Sequence, residues 1–137
     1  MRTKDQKIER LGSIHLFARA NDSQLESLAS IADEASVPAG TPLAKEGERG
    51  MDFFVIESGS AEVTAGGQKL GDLKQGDFFG EIALLEGGLR MATVTATEDS
   101  VLLIVRKPAF DKLQETVPGL GQVLREAVEQ RRKQNAQ

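Results

Sequence analysis

Glu81 and Arg90 lie nine residues apart in the segment FGEIALLEGGLRMATVTA, which is too apolar for a surface loop and too rich in glycine for a regular helix. A helical turn starting after Gly80 would present free backbone N–H groups, which bind anions such as phosphate. Arg90 can neutralise the phosphate charge, whereas Glu81 is suited to accept a hydrogen bond from a sugar hydroxyl. The pattern therefore indicates a ribose-phosphate ligand with one negative charge.

A purely structural explanation fits the same spacing equally well. Glu81 and Arg90 would then form a salt bridge at a barrel rim, and the glycines would serve only as turns. A triphosphate ligand is not indicated, because the P-loop pattern GxxxxGK[ST] does not occur in the sequence.

The composition argues against several kinds of site. The 137 residues include no cysteine and a single histidine, so disulfides, thiolate metal sites and histidine clusters are excluded. His15 is interpreted as a packed or solvent-edge residue rather than a ligand. A lone histidine is also weak support for general-base chemistry. We therefore expect neither a metal site nor catalytic residues, and interpret the chain as a binding protein rather than an enzyme.

Charge and hydropathy likewise restrict the classes of partner that the chain is expected to bind. The formal net charge of −4 argues against nucleic-acid binding by this chain alone. No apolar run is long enough to span a membrane, and the N-terminus lacks the apolar core of a signal peptide. These features predict a cytoplasmic protein that does not contact a membrane.

Short β-rich runs separated by glycines occupy residues 35–106, without long helical patterns between them. This alternation is typical of an all-β sandwich or barrel. We predict a mainly β fold with flanking helices, built on an antiparallel jelly-roll-like β-barrel, with a hairpin turn at Gly66 and Gly67. The domain is expected to span residues 21–137, preceded by an N-terminal extension over residues 1–20.

Helical periodicity flanks this β-rich part on both sides. An N-terminal helix is predicted over residues 21–33. Two C-terminal helices are predicted within residues 108–134, one starting at Pro108 and one following Pro118. The last helix carries an apolar stripe, expected to pack on the barrel or to meet a partner: Leu120, Val123, Leu124, Ala127 and Val128.

The segment over residues 79–96 is similar throughout to the phosphate-binding cassette of cyclic nucleotide-binding domains. These domains occur in bacterial catabolite activators, protein kinase A regulatory subunits and cyclic-nucleotide-gated channels. The shared pattern is FGE, an apolar-Ala-Leu-apolar segment, a short spacer and Arg-x-Ala-Thr-Val. The segments PAGTPLAKEGERG, FFVIESGSAEV and LKQGDFFGE also resemble the family, so the resemblance covers nearly the whole chain.

The resemblance implies specific roles for individual residues. Glu81 matches the acceptor of the ribose 2′-hydroxyl, and Arg90 matches the partner of the exocyclic phosphate oxygens. Val63 and Leu70 match positions that flank the purine, although ordinary core packing is the simpler explanation of both from the bare sequence. Four further positions match the residues whose backbone lines the sugar-phosphate site: Gly80, Ile82, Ala83 and Ala92.

The chain departs from the family at two points that bear on the base. Met91 follows the arginine, where a hydroxyl side chain is associated with guanine contact, so cAMP is expected over cGMP. Met91 either fills space against the purine or obstructs the site. The sequence has no Trp or Tyr for an aromatic cap. The base would then be covered from the last helix by other side chains: Leu124, Val128, Arg125 or Arg131. Alternatively, that helix only packs on the barrel or on a second subunit.

The resemblance thus implies a regulatory module that binds a cyclic nucleotide, with cAMP as ligand, and transmits occupancy through its C-terminal helix. That helix is also the expected contact for a second copy or an effector protein. Two alternatives stay open. One is a nucleotide-free dimerisation or docking domain of the same fold, and the other is the sensor part of a transcription regulator lacking its DNA-binding domain.

Overall fold

A computed structural model describes residues 9, 11–12, 14, 17–18, 20–80, 89–117 and 119–135. None of the helices in these ranges is long and apolar enough to cross a membrane. The helices are α1 (Asp22–Ile31), α2 (Lys107–Thr116) and α3 (Leu120–Asn135). The strands are β1 (Asp33–Val37), β2 (Pro42–Ala44), β3 (Asp52–Ser58), β4 (Ser60–Ala65), β5 (Gln68–Lys74), β6 (Phe78–Phe79), β7 (Thr93–Ala96) and β8 (Ser100–Arg106).

The described strands form two four-stranded antiparallel sheets. The order in the first sheet is β1-β8-β3-β6, and the order in the second sheet is β2-β7-β4-β5. The predicted mainly β, jelly-roll-like fold with flanking helices is confirmed. Within the described residues, however, the strands form two packed sheets rather than one closed barrel.

The centre of the first sheet is buried on both faces, because its central strands carry uninterrupted apolar runs, residues 53–56 in β3 and 101–105 in β8. Successive side chains of a strand point to opposite faces. Phe53 and Val55 therefore face the helices, whereas Phe54 and Ile56 face the second sheet. We call these two apolar groups the helix cluster, which includes Phe53, Val55, Leu103, Val105, Phe110 and Leu124, and the intersheet cluster, which includes Phe54, Ile56, Phe79, Val94 and Leu102.

Strand β6 repeats this alternation with two adjacent phenylalanines. Phe78 packs against the helix cluster, with its ring centroid 5.7 Å from that of Phe53. Phe79 lies in the intersheet cluster and stacks on Phe54 at 4.7 Å. Extended backbone places the two rings on opposite sides of the sheet.

Helix α1 is capped at its start by Asn21 and ends at Ile31, two residues before the predicted end. Asn21 Oδ1 accepts a hydrogen bond from Gln24 N at 2.8 Å, and Gln24 Oε1 accepts one from Asn21 N at 2.9 Å. This reciprocal capping box fixes the first turn. The predicted end at Asp33 is wrong, because Asp33 already belongs to β1 and pairs with Ile104 of β8. Pairing with a neighbouring strand satisfies these backbone groups in place of further helical hydrogen bonds.

The predicted hairpin is confirmed. Gly66 and Gly67 connect β4 to β5 with φ angles of 60° and 80°, and the flanking Ala65 and Gln68 are paired. Two successive positive φ angles match the strand twist of a two-residue turn, and glycine adopts them without steric cost. The turn fixes the register of β5 against β4.

Both ends of the described chain contribute to the helix cluster. Three described residues of the predicted N-terminal extension are buried there: Leu11, Ile14 and Phe17. Two stripe residues of α3, Leu120 and Leu124, are buried in the same cluster. Val128 is also buried, Ala127 is half-buried, and Val123 is 41% exposed. The cluster contains residues of β3 and β8, so the interpretation of Leu124 as packed on the β-structure is confirmed.

Candidate functional site

The backbone of Arg90 is held by the loop between β2 and β3. Arg90 N donates to the carbonyl oxygen of Glu48 at 2.7 Å, and Gly47 N donates to the carbonyl oxygen of Arg90 at 2.9 Å. The preceding residue, Leu89, forms an isolated antiparallel bridge with Arg49. These contacts fix the position of the Arg90 backbone in the ligand-free protein. Less conformational entropy is therefore lost when a ligand binds.

The guanidinium group of Arg90 is half-buried against β3. Its Nη2 donates to the carbonyl oxygen of Asp52 at 2.6 Å, and its Cζ lies 5.8 Å from the ring centroid of Phe54. Phe54 stacks on Phe79 with an angle of 12° between the ring planes. A cation over an aromatic ring is stabilised by the ring quadrupole, and partial burial strengthens its interaction with an anion. The arrangement can bind a phosphate oxygen.

Gly80 brings the backbone directly against this guanidinium. Its φ angle is 97°, and a Cβ added there would lie 2.7 Å from Arg90 Nη1 and 2.6 Å from the Asp52 carbonyl oxygen. Both distances are far below van der Waals contact, so a side chain cannot be accommodated without displacing Arg90 or β3. The structure thus brings together two of the predicted site residues, Gly80 and Arg90.

Three of the predicted site residues are not among the residues that the structure describes. Glu81, Ile82 and Ala83 lie outside the described residues, as does His15. The expected ribose contact of Glu81 is therefore untested, and so is the alternative in which Glu81 forms a salt bridge.

The two residues after Arg90 are only partly covered by the protein. Met91 is 42% exposed, and Ala92 is half-buried. Strand β7 then begins at Thr93 and enters the second sheet beside β4. The Arg90 segment is therefore connected directly to the sheet that carries the predicted purine-flanking residues.

Val63 and Leu70 differ in their surroundings. Val63 on β4 is half-buried, packs against the intersheet cluster and pairs with Val94 of β7. Leu70 on β5 is 44% exposed, so ordinary core packing, which seemed the simpler explanation for it, is wrong. An exposed leucine on a strand next to a candidate ligand site leaves apolar surface that a purine ring can cover.

The hairpin that carries Leu70 also contains a local ion pair. Lys69 Nζ lies 3.0 Å from Asp72 Oδ1, and both side chains are exposed. The hydrogen bond to Asp72 raises the pKa of Lys69 above its usual value. No group of three or more His, Asp or Glu side chains in the described ranges is arranged to hold a metal ion.

Two contributors to the site were not identified from the sequence. Asp52 acts through its backbone carbonyl, for which a side-chain type gives no signal. Phe54 seemed an ordinary strand residue, and its position under Arg90 depends on the pairing of Phe54 with Phe79 across β3 and β6. Only the alternation of β3 indicated that Phe53 and Phe54 face different environments.

Comparisons with known proteins show which family and which fold this chain resembles. A family model described as the cyclic nucleotide-binding domain matches residues 34–117. A cAMP-dependent protein kinase regulatory subunit from Yarrowia lipolytica is 37% identical over 105 residues, and a cGMP-dependent protein kinase from Toxoplasma gondii is 32% identical over 103 residues. Each match covers 75% of this chain. The solved structure of cAMP-bound PfPKA-R superimposes with a TM-score of 0.88 over 96% of this chain at 24% identity, which shows a shared fold.

The chain is short beside these relatives. It spans 28% of the Yarrowia lipolytica regulatory subunit, 10% of the Toxoplasma gondii kinase and 45% of the PfPKA-R chain. The matched region is therefore one part of each larger protein. What those proteins do as wholes does not transfer to this chain through the matches alone.

The close approach of Gly80 to Arg90 generates a stability test with a matched control. Gly76 has a similar φ angle of 91°, yet a Cβ added there would meet no atom within 4 Å. Gly76→Ala and Gly80→Ala incur the same backbone strain, about 1 to 3 kcal/mol, but only the second also clashes with Arg90 and Asp52. We expect Gly80→Ala to lower the free energy of unfolding in urea by at least about 1 kcal/mol more than Gly76→Ala. Equal losses would show that the close approach is not required.

Proposed function

This chain belongs to the cyclic nucleotide-binding domain family, and from that premise we propose that it binds one cyclic purine nucleotide, with cAMP preferred over cGMP, and acts as a regulatory module. The observation that carries the proposal is the Arg90 guanidinium, held half-buried against Asp52 and Phe54 and beside the bare backbone of Gly80. A fixed, partly desolvated cation next to accessible backbone suits a single phosphate.

In the proposed complex, the phosphate of the ligand lies against Arg90. The guanidinium donates to Asp52 through Nη2, and its fixed positive charge and planar fork suit it to pair with a phosphate. Gly80 has no side chain, which leaves room for the guanidinium to lie directly against the backbone beside the proposed phosphate position. Glu81 is assigned the ribose 2′-hydroxyl by resemblance, with Ile82, Ala83 and Ala92 lining the sugar-phosphate site through their backbone.

The purine is proposed to lie against Val63 and Leu70 of the second sheet. Met91 is proposed to contact the edge of the purine. The exposure of Leu70 and Met91 supports this position, because covering both side chains removes apolar surface from water. Met91 cannot donate a hydrogen bond to a guanine, whereas it can pack against either purine. This difference is the basis for preferring cAMP.

Binding alone is proposed as the activity, without catalysis and without a metal. The role proposed for Arg90 is to bind an anion, which requires neither a nucleophile nor a general base. The PKA regulatory subunits among the relatives support a partner protein as the recipient of the signal. A second copy of the chain is the alternative recipient, and cytoplasmic location remains part of the proposal.

The route from the site to the C-terminal helix is proposed to pass through β3. Leu124 of α3 is buried in the helix cluster, on the opposite face of the first sheet from Phe54 and the Arg90 guanidinium. Phe54 lies under Arg90, while the adjacent Phe53 packs on Phe110 of α2 at 5.0 Å. A ligand that binds one arrangement of β3 more tightly would shift the population of the helices packed behind it.

The phosphate role of Arg90 can be tested by isothermal titration calorimetry with cAMP. We expect Arg90→Ala to weaken binding by at least about tenfold, because a charged hydrogen bond contributes about 1.5 to 3 kcal/mol. Lys112→Ala, which removes one positive charge from an exposed site on α2, is the matched control and should bind as the unaltered chain does. Unchanged affinity of Arg90→Ala would make Arg90 a structural residue. An unaltered chain that binds neither cAMP nor cGMP would favour a docking domain.

The preference for cAMP depends on Met91 and can be altered there. We expect Met91→Thr to move the ratio of cAMP to cGMP affinity toward cGMP, because threonine supplies the hydroxyl that methionine lacks. The same substitution at Met51, which is 57% exposed, controls for general effects of losing a methionine and should leave the ratio unchanged. A competition assay measures the ratio directly. Tighter binding of cGMP by the unaltered chain would contradict the proposed preference.

Transmission to α3 can be followed by amide hydrogen exchange. We expect saturating cAMP to change protection over residues 119–129, because the helix cluster packs on the face of β3 opposite Arg90. The Arg90→Ala chain at the same cAMP concentration is the control and should show no change. If protection in this range is identical with and without ligand, while protection around Arg90 increases, α3 does not report occupancy.

A further inference from the structure

We propose that Glu46 is a positioning residue that couples the Arg90 segment to the β4–β5 hairpin, the two parts of the nucleotide site; the inference rests on the proposed function. Glu46 itself is exposed and belongs to the loop between β2 and β3. The proposed complex assigns Glu46 no contact with the phosphate or the purine. Its effect on binding would act through the backbone groups that it holds.

Glu46 makes two hydrogen bonds to distant parts of the chain. Its Oε1 accepts from the backbone N–H of Gly66 at 3.0 Å, twenty residues away in the hairpin turn. Its own backbone N–H donates to Oγ1 of Thr93 at 3.0 Å, and Thr93 is the first residue of β7. One residue thereby ties the β2–β3 loop both to the hairpin that carries Leu70 and to the strand that follows Arg90.

The two residues that follow Glu46 hold Arg90 directly. Gly47 donates to the carbonyl oxygen of Arg90, and Glu48 accepts from its N–H through a backbone oxygen. Movement of this loop would therefore move the Arg90 backbone. Because Glu46 fixes the loop on its other side, the distance between the guanidinium and the hairpin depends on the Glu46 hydrogen bonds. A nucleotide that bridges phosphate and purine subsites needs that distance to be fixed.

The charge and the hydrogen bonds of Glu46 predict opposite effects on nucleotide affinity when the side chain is removed, so an experiment can distinguish them. A carboxylate on a chain of net charge −4 disfavours an anionic ligand, so removing it would strengthen binding if Glu46 acted by charge alone. Removing the hydrogen bond to Gly66 would weaken binding if Glu46 acts by positioning. The neighbouring Glu48 is also exposed, and it contacts Arg90 through its backbone rather than its side chain.

The test compares three variants by calorimetry with cAMP. We expect Glu46→Ala to weaken binding about three- to tenfold, the size that the loss of one hydrogen bond gives. Glu48→Ala, which removes the same charge from the same loop, should bind as tightly as the unaltered chain or slightly more tightly. Glu46→Gln keeps the oxygen that accepts from Gly66, so we expect its affinity within about twofold of the unaltered chain. Equal affinities of Glu46→Ala and Glu48→Ala would overturn the inference while leaving nucleotide binding intact.

Residue-resolved amide exchange of the ligand-free chain separates this inference from the proposed function. We expect the Gly47 and Arg90 amides to exchange several-fold faster in Glu46→Ala, and at unaltered rates in Glu46→Gln and Glu48→Ala. Unaltered rates in Glu46→Ala would mean that Glu46 does not hold the Arg90 segment, whether or not the chain binds cAMP. Failure of the unaltered chain to bind any cyclic nucleotide would refute the proposed function, and the exchange rates would still decide the coupling.

Discussion

The burial of β3 on both faces is the constraint on which the rest of the structure depends. An extended strand alternates its side chains, so an uninterrupted apolar run must be covered from two directions. The helix cluster covers Phe53 and Val55, and the second sheet covers Phe54 and Ile56. This requirement places α2 and α3 behind the first sheet and leaves the intersheet side for the Arg90 segment. The position of the candidate site and the position of the helices therefore have one common cause.

The candidate site is built largely from backbone groups that orient one side chain. Arg90 is held at its own N–H and carbonyl by the β2–β3 loop and at its guanidinium by the Asp52 carbonyl and the Phe54 ring. A cation fixed in this way loses little further freedom when an anion binds, so more of the interaction energy contributes to affinity. Gly80 contributes by lacking a side chain. This preorganisation explains why one arginine suffices for the proposed single phosphate.

The location of α3 changes how occupancy could be transmitted. The sequence suggested that Leu124 and Val128 cover the base, with packing on the β-structure as the alternative. Both side chains are buried, and Leu124 belongs to the helix cluster. A signal from Arg90 to α3 therefore has to cross the first sheet. Phe54 and Phe53 are adjacent in β3 and face opposite sides of the sheet, so they connect the arginine to Phe110 through the backbone of β3. Such contiguity is a physical requirement for coupling, and only exchange or affinity measurements quantify the coupling.

Local patterns were enough to determine the order of helices and strands, the Gly66–Gly67 turn and the capped start of α1, because each depends on the conformational preferences of a few neighbouring residues. The resemblance of residues 79–96 to a phosphate-binding cassette pointed to Gly80 and Arg90 in the same way. Tertiary structure decided three other features: the end of α1 before Asp33, the exposure of Leu70, and the placement of Asp52 and Phe54 at Arg90. Strand pairing and burial depend on residues far apart in the chain, and a periodic pattern shows which face is apolar without showing what covers it.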